Sequence, residues 1–186
     1  MVDTKPKTVD TKPKTGDTKP KTGDTETGVI RLEGIEPFID NTNALLKPAL
    51  RQVDILTEAL DPAWLGDDRV IEQLKQTILK NRRSQIRLLI ADSVPAVRSH
   101  HPLLALIRRL DRFEARVINK DLIEKQPLTS EYLLVDRGGI IVRQSLTDYL
   151  GFVHFDDRAT VRNQREAFAV YWRYSHAHAD FRHLQL

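Results

Sequence analysis

An α/β fold, a mixed sheet flanked by helices, is what this sequence predicts once its polar start is set aside. Three observations predict it. Short apolar and β-branched runs alternate with segments of helical period. The spacers between the first three runs are long enough for right-handed crossovers between parallel neighbours. Two later runs, 131–136 and 140–144, flank the turn Asp136-Arg137-Gly138-Gly139 and read as a hairpin, which must be antiparallel.

The chain begins with a repeat. "DTKPKT" occurs at 3–8, 10–15 and 17–22, and a broken copy starts at Asp24. The period is seven, but Pro6, Pro13 and Pro20 recur and no position offers an apolar seam, so this is not a coiled coil. Residues 1–28 are expected to be a disordered, polyproline-like tail, because they cannot bury enough apolar area to offset their ordering entropy. The recurring Lys and Thr leave open a phosphorylated or polyanion-binding arm. Residues 29–48 contain apolar side chains without a sustained period, interrupted by Pro37 and Pro48, and read as a linker or N-terminal extension. The α/β domain is expected to span 49–186.

Within it, 51–56 is the first strand. Asp61 before Pro62 is a helix-start pair, since Asp accepts a backbone N–H and Pro tolerates the first helical position. Val70, Ile71, Leu74, Ile78 and Leu79 fall at helical spacing over 68–82, with Asp67 or Asp68 as cap. "IRLLIAD" (86–92) is an apolar run suited to a buried central strand. Leu103, Leu104, Ile107 and Leu110 form one face of a second helix with Pro102 in its first turn. "EARVIN" (114–119) is a third strand and the hairpin supplies two more. Asp156 and Asp157 cap a last helix to about 174, whose inward stripe is Val161, Phe168 and Trp172. The glycine pair is expected to supply the positive φ angles of the hairpin turn.

Composition narrows the function. The chain has 186 residues and no cysteine, which removes disulfides, thiolate metal sites and thiol nucleophiles and suits a reducing cytoplasm. "MVDTKPKT" lacks the apolar core of a secretory signal, and no run approaches the 18–20 residues that would cross a bilayer. The net charge is +3, spread over tail and domain alike, so the sequence pI near 9.2 is weak support for a nucleic-acid partner. The signatures G-x-x-x-x-G-K-[ST] and G-x-G-x-x-G are missing, and no Gly-rich turn is available for an acetyl-CoA pyrophosphate, so no cofactor is expected.

Three stretches together resemble a known family: "LLVD" with its glycine turn and return strand, "LLIADSVPAVRSHHPLLALIRRL" (88–110), and "FAVYW" (168–172) on the closing helix. They resemble an uncharacterised bacterial domain family with a phospholipase D-like fold, often fused behind a GNAT-type acetyltransferase. The resemblance covers about 50–186. Catalytic members of the fold carry His-x-Lys-x-x-x-x-Asp on this strand, the His as nucleophile and the Lys as phosphate ligand. With Asp136 at the motif Asp, Thr129 falls at the His and Glu131 at the Lys, while Arg143 and Gln144 replace the small residues of the return strand. The resemblance therefore implies a degenerate scaffold, and an acetyltransferase as a partner.

The candidate site residues follow from the fold. Ligands of open α/β sheets gather beyond the carboxyl ends of strands. Asp92, Arg98 and His101 are expected there, with Asp136 and Arg143 joining them from the hairpin, to bind a small anion. The structural alternative is that Asp92 caps a loop and His101 a helix. His176, His178 and His183 are imidazoles close enough to bind zinc or nickel, though at a terminus, with no Cys to assist and the ordering of a loose segment opposing it. Arg158, Arg162 and Arg165 share one face of the closing helix, suited to phosphate or to water. Three functions compete: a non-catalytic interaction or ligand-binding module, a residual phosphodiesterase or metal-dependent hydrolase, and a nucleic-acid accessory protein.

Overall fold

The computed structural model describes Met1 and residues 28–181. Most of the repeat tail and His183 lie outside the described residues. One eight-stranded mixed sheet organises the rest, in the order β1-β7-β6-β5-β2-β3-β4-β8. Strands β2 (Gln52–Thr57), β3 (Gln85–Ile90) and β4 (Phe113–Ile118) are mutually parallel. The hairpin strands β5 (Glu131–Val135) and β6 (Gly139–Arg143) join antiparallel to β2. These strands match the sequence expectation to within a residue or two.

Four helices cover one face: α1 (Ile35–Leu46), α2 (Asp68–Lys80), α3 (Val94–Arg98) and α4 (Pro102–Arg109). Phe38, Leu46, Leu74, Ile78, Leu103 and Ile107 pack there against Val53, Ile55, Leu88 and Leu133. Each such burial stabilises the fold by about 1.5–3 kcal/mol before entropy is counted. The other face carries α5 (Lys120–Lys125) and α6 (Arg158–Arg173). There Val161 and Phe168 meet Leu56, Leu89, Tyr132, Leu134 and Ile140, with Trp172 partly buried beside them.

Residues 29–48 are not the linker their prolines suggest. They form β1 (Val29–Glu33), which pairs antiparallel with β7 (Leu150–His154), and α1, which buries Phe38, Ile39, Thr42, Leu45 and Leu46. Pro37 sits in the first turn of α1, where its missing N–H costs nothing, and Pro48 follows the helix end. The strands β7 and β8 (Ser175–His176) and the short helix α5 have no counterpart in the sequence reading.

Asp61 accepts from the Ala63 and Trp64 N–H groups at 2.8 and 3.4 Å, yet residues 62–66 remain turns. The helix starts only at Asp68, where Asp67 accepts from the Arg69 N–H. The helix expected from Pro102 is α4, and the short α3 before it is an addition, separated from it at His100, whose φ is +52°. The hairpin turn also differs. Neither Gly138 nor Gly139 has positive φ; Asp136 does, at 47°. The glycines are required by close approach instead. A Cβ on Gly138 would lie 2.4 Å from an Asp156 oxygen, and one on Gly139 2.8 Å from Leu45.

Candidate functional site

Strand direction decides which candidates can meet. Because β5 runs opposite to β2, Glu131 at its start arrives beside the carboxyl ends of β2 and β3, and β6 returns Arg143 to the same place. Glu131 and Arg143 are direct cross-strand partners, 3% and 4% exposed. Asp136, at the turn, is carried to the opposite end of the sheet. The expected convergence of all five candidates is therefore not what the fold builds.

Around Arg143 the polar groups satisfy one another. Its Nη1 donates to Asp61 Oδ2 at 2.8 Å and to Glu131 Oε2 at 3.0 Å. Nε and Nη2 donate to the carbonyls of Asp148 and Leu146. Glu131 Oε1 accepts from the Thr57 hydroxyl at 2.6 Å and from the Glu58 N–H at 2.8 Å. Tyr149 lies under the guanidinium, 4.5 Å from ring centre to Arg143 Cζ, and its hydroxyl donates to Asp61 at 2.7 Å. Burial, with that bond to a carboxylate, pushes the Tyr149 phenol up to about 12. A cavity of about 350 Å³ opens above, walled by Glu58, Asp61, Pro95, Ser99, Glu131 and Arg143. One guanidinium faces two carboxylates, so the floor offers no free positive charge to a phosphate.

The remaining candidates near this end are placed as caps or on the surface. Asp92 is exposed and accepts from the Val94 N–H at 2.9 Å. Arg98 ends α3 and is exposed. His101 is 2% exposed and caps α4, its Nδ1 accepting from the Leu103 N–H at 3.2 Å. Its Nε2 has no hydrogen-bond partner and lies where a Cβ on Gly66 would come within 3.0 Å. Desolvation holds the imidazole below its ordinary value, opposed by the nearby Asp61 carbonyl and charge, so a neutral ring is favoured. Thr129, at the nucleophile's position in the phospholipase D-like motif, is an exposed residue ahead of β5.

At the far end Asp136 works as a clasp. Its carboxylate accepts from three successive backbone N–H groups, Leu50, Arg51 and Gln52, at 2.8–2.9 Å. Those groups precede and begin β2, where strand pairing leaves them unmet.

A second buried charge lies under α6, and sequence reasoning missed it. Asp54, fully buried in the middle of β2, accepts from Arg87 Nε at 2.7 Å, Arg165 Nε at 2.8 Å and the Gln52 side-chain amide. Arg87 also stacks on Phe168 and Trp172, and Arg116 on Trp172. The signal was available: an Asp inside "VDILT" has to find partners if that strand is central.

Among the C-terminal histidines, His176 pairs across from Val117 in β8, and the His178 ring lies 5.3 Å from that of Phe181. No group of three His, Asp or Glu side chains able to hold a metal occurs among the described residues. No described helix is long and apolar enough to cross a membrane.

Fold and site together define a phospholipase D-like α/β domain in which Glu131, at the position of the motif's Lys, belongs to a buried ion-pair cluster. Several solved structures share the architecture. NucT from Helicobacter pylori superposes with a TM-score of 0.58 at 8% identity, covering 81% of this chain and 98% of that one. The phosphatidylserine synthase of Haemophilus influenzae gives 0.53 at 11%, over 82% of this chain and 40% of the other. TrmBL2, an archaeal chromatin protein described with a novel mode of DNA binding, gives 0.57 at 16%, over 84% and 57%. At such identities the likeness is one of fold. This chain belongs to the family Domain of unknown function (DUF7931), whose model matches residues 35–184. No curated protein matches it.

Proposed function

We propose that the domain is a non-catalytic interaction or ligand-binding module that keeps a phosphodiesterase scaffold without its chemistry. The observation that carries this reading is the Glu131–Arg143–Asp61 cluster. Phosphoryl transfer to the protein needs an activated nucleophile. Here the motif's His is Thr129 and its Lys is Glu131, whose charge is committed to Arg143. His101 is the histidine near this end whose position could substitute for the nucleophile, and it is buried with its lone-pair nitrogen engaged as a cap. A fold by itself does not confer activity.

The test is turnover of bis-p-nitrophenyl phosphate by the wild type and by His101→Ala. The expected result is no turnover in either. Turnover that survives purification and disappears in His101→Ala overturns the reading. A GNAT-type acetyltransferase is the protein partner this reading favours, supported by the fusion habit of the family the sequence resembles. Co-elution of the two from a sizing column checks that part.

A further inference from the structure

The concavity beside the N-terminal half of α6 carries more positive charge than the fold uses. It measures about 530 Å³ and is walled by Arg137 from the hairpin turn, by Arg158, Arg162 and Arg165 from α6, and by Val161, Glu166 and Ala169. Four guanidinium groups line it beside Glu166, and two of the four are paired with carboxylates elsewhere. Arg158 pairs with Asp156, an exposed contact. Arg165 is anchored through Nε to Asp54, while its Nη2 is shielded from solvent and has no partner. The side chains of Arg137 and Arg162 make no hydrogen bond or ion pair among the described residues.

We propose that this concavity binds a small molecule bearing a diphosphate group. Guanidinium forks match phosphate oxygens two at a time and stay charged at any physiological pH. Asp157 caps the start of α6 through the Thr160 N–H and Asp156 pairs with Arg158, so the attraction rests on Arg137 and Arg162. The volume suits a ligand of mononucleotide size. Val161 and Ala169 offer an apolar wall for its non-phosphate part, and Glu166 an acceptor for a ring or sugar donor. Anchoring by Asp54 fixes Arg165 before the ligand arrives, which lowers the entropic cost of binding. The site lies at the opposite end of the sheet from the Arg143 cluster, so its test succeeds or fails independently of the non-catalytic reading.

The experiment is calorimetric titration of the full chain with inorganic pyrophosphate, ADP and adenosine near 0.15 M salt, where loose surface attraction is screened. An Arg137→Ala/Arg162→Ala double variant is titrated alongside. Neither side chain has a partner to lose, and a thermal melt confirms that the fold is intact. Pyrophosphate and ADP are expected to bind the wild type and adenosine not to bind. The double variant is expected to weaken ADP by about a hundredfold, roughly tenfold for each guanidinium removed. Absence of pyrophosphate and ADP binding, or equal affinity in wild type and variant, overturns the proposal. A single-stranded oligonucleotide that displaces ADP, with affinity rising steadily with strand length, also overturns it and makes the concavity part of a strand-binding surface.

Discussion

The two ends of the β5–β6 hairpin treat arginine in opposite ways. At the open end, Arg143 is 4% exposed and fully committed to Glu131, Asp61 and two carbonyls. At the turn end, Arg137 and Arg162 have no described partner, and Arg165 is half committed. The first arrangement is structural: a buried charge must be compensated within the fold. The second leaves charge available to something outside. Residue type therefore does not separate a functional arginine from a structural one; the state of its hydrogen bonds does.

The sharpest way to break the comparison is Arg143→Ala. Removing it leaves Glu131 and Asp61 facing each other without compensation, and a loss of about 3–5 kcal/mol is expected in urea unfolding. Glu131→Leu combined with Arg143→Met should recover part of that loss, because it removes the more deeply buried charge and leaves only Asp61, which keeps its bonds to Tyr149 and to the Ala63 and Trp64 N–H groups. A double variant as unstable as the single one would mean that packing, not charge, holds this end.

Asp136→Ala should cost about 2–3 kcal/mol. It strands three backbone N–H groups and places a less tolerant residue at φ 47°. Asp136→Asn should cost clearly less, since Asn accepts that backbone region readily. Equal losses would exclude the clasp as the main role of the residue.

Acid separates the ends in another way. His101 binds its proton less readily when folded than when unfolded, because burial disfavours the imidazolium. Below the unfolded value of 6.5 the unfolded chain therefore binds more protons, so stability falls as pH falls from there and is fully present above it. His101→Gln should flatten the stability profile just below pH 6.5. An unchanged slope would mean that other groups set it. The smallest effect belongs to Arg162→Ala, expected to shift stability by no more than about 0.5 kcal/mol. A larger loss would show that its charge is used within the fold.

The central strands and the caps Asp67 and Asp157 were legible because apolar runs and cap chemistry act locally. The strand-helix pair at 29–46 was not. Its prolines fall at a helix start and just past a helix end, and those positions look like breaks until the helix is seen. The candidate site failed for a different reason. Asp92, Asp136 and Arg143 each end a strand, and which ends coincide depends on whether β5 lies parallel or antiparallel to β2. No local pattern encodes that choice. Asp61, Asp54 and Tyr149 became important through contacts 33 to 111 residues away in the chain.

The strand order has a mechanical consequence. The first and last strands, β1 and β8, form opposite edges of the sheet. At about 4.8 Å per strand, the seven intervals between them span roughly 34 Å. Tension applied through the two ends of the domain is thus carried across the sheet by ladders arranged in series. The weakest rung is the two-residue pairing of β8 with β4. Under load that edge should peel first, while the buried strands β2, β3, β5 and β6 stay joined. A fusion at the carboxyl end would pull on the least secured strand, and one at the amino end on the five-residue β1–β7 ladder.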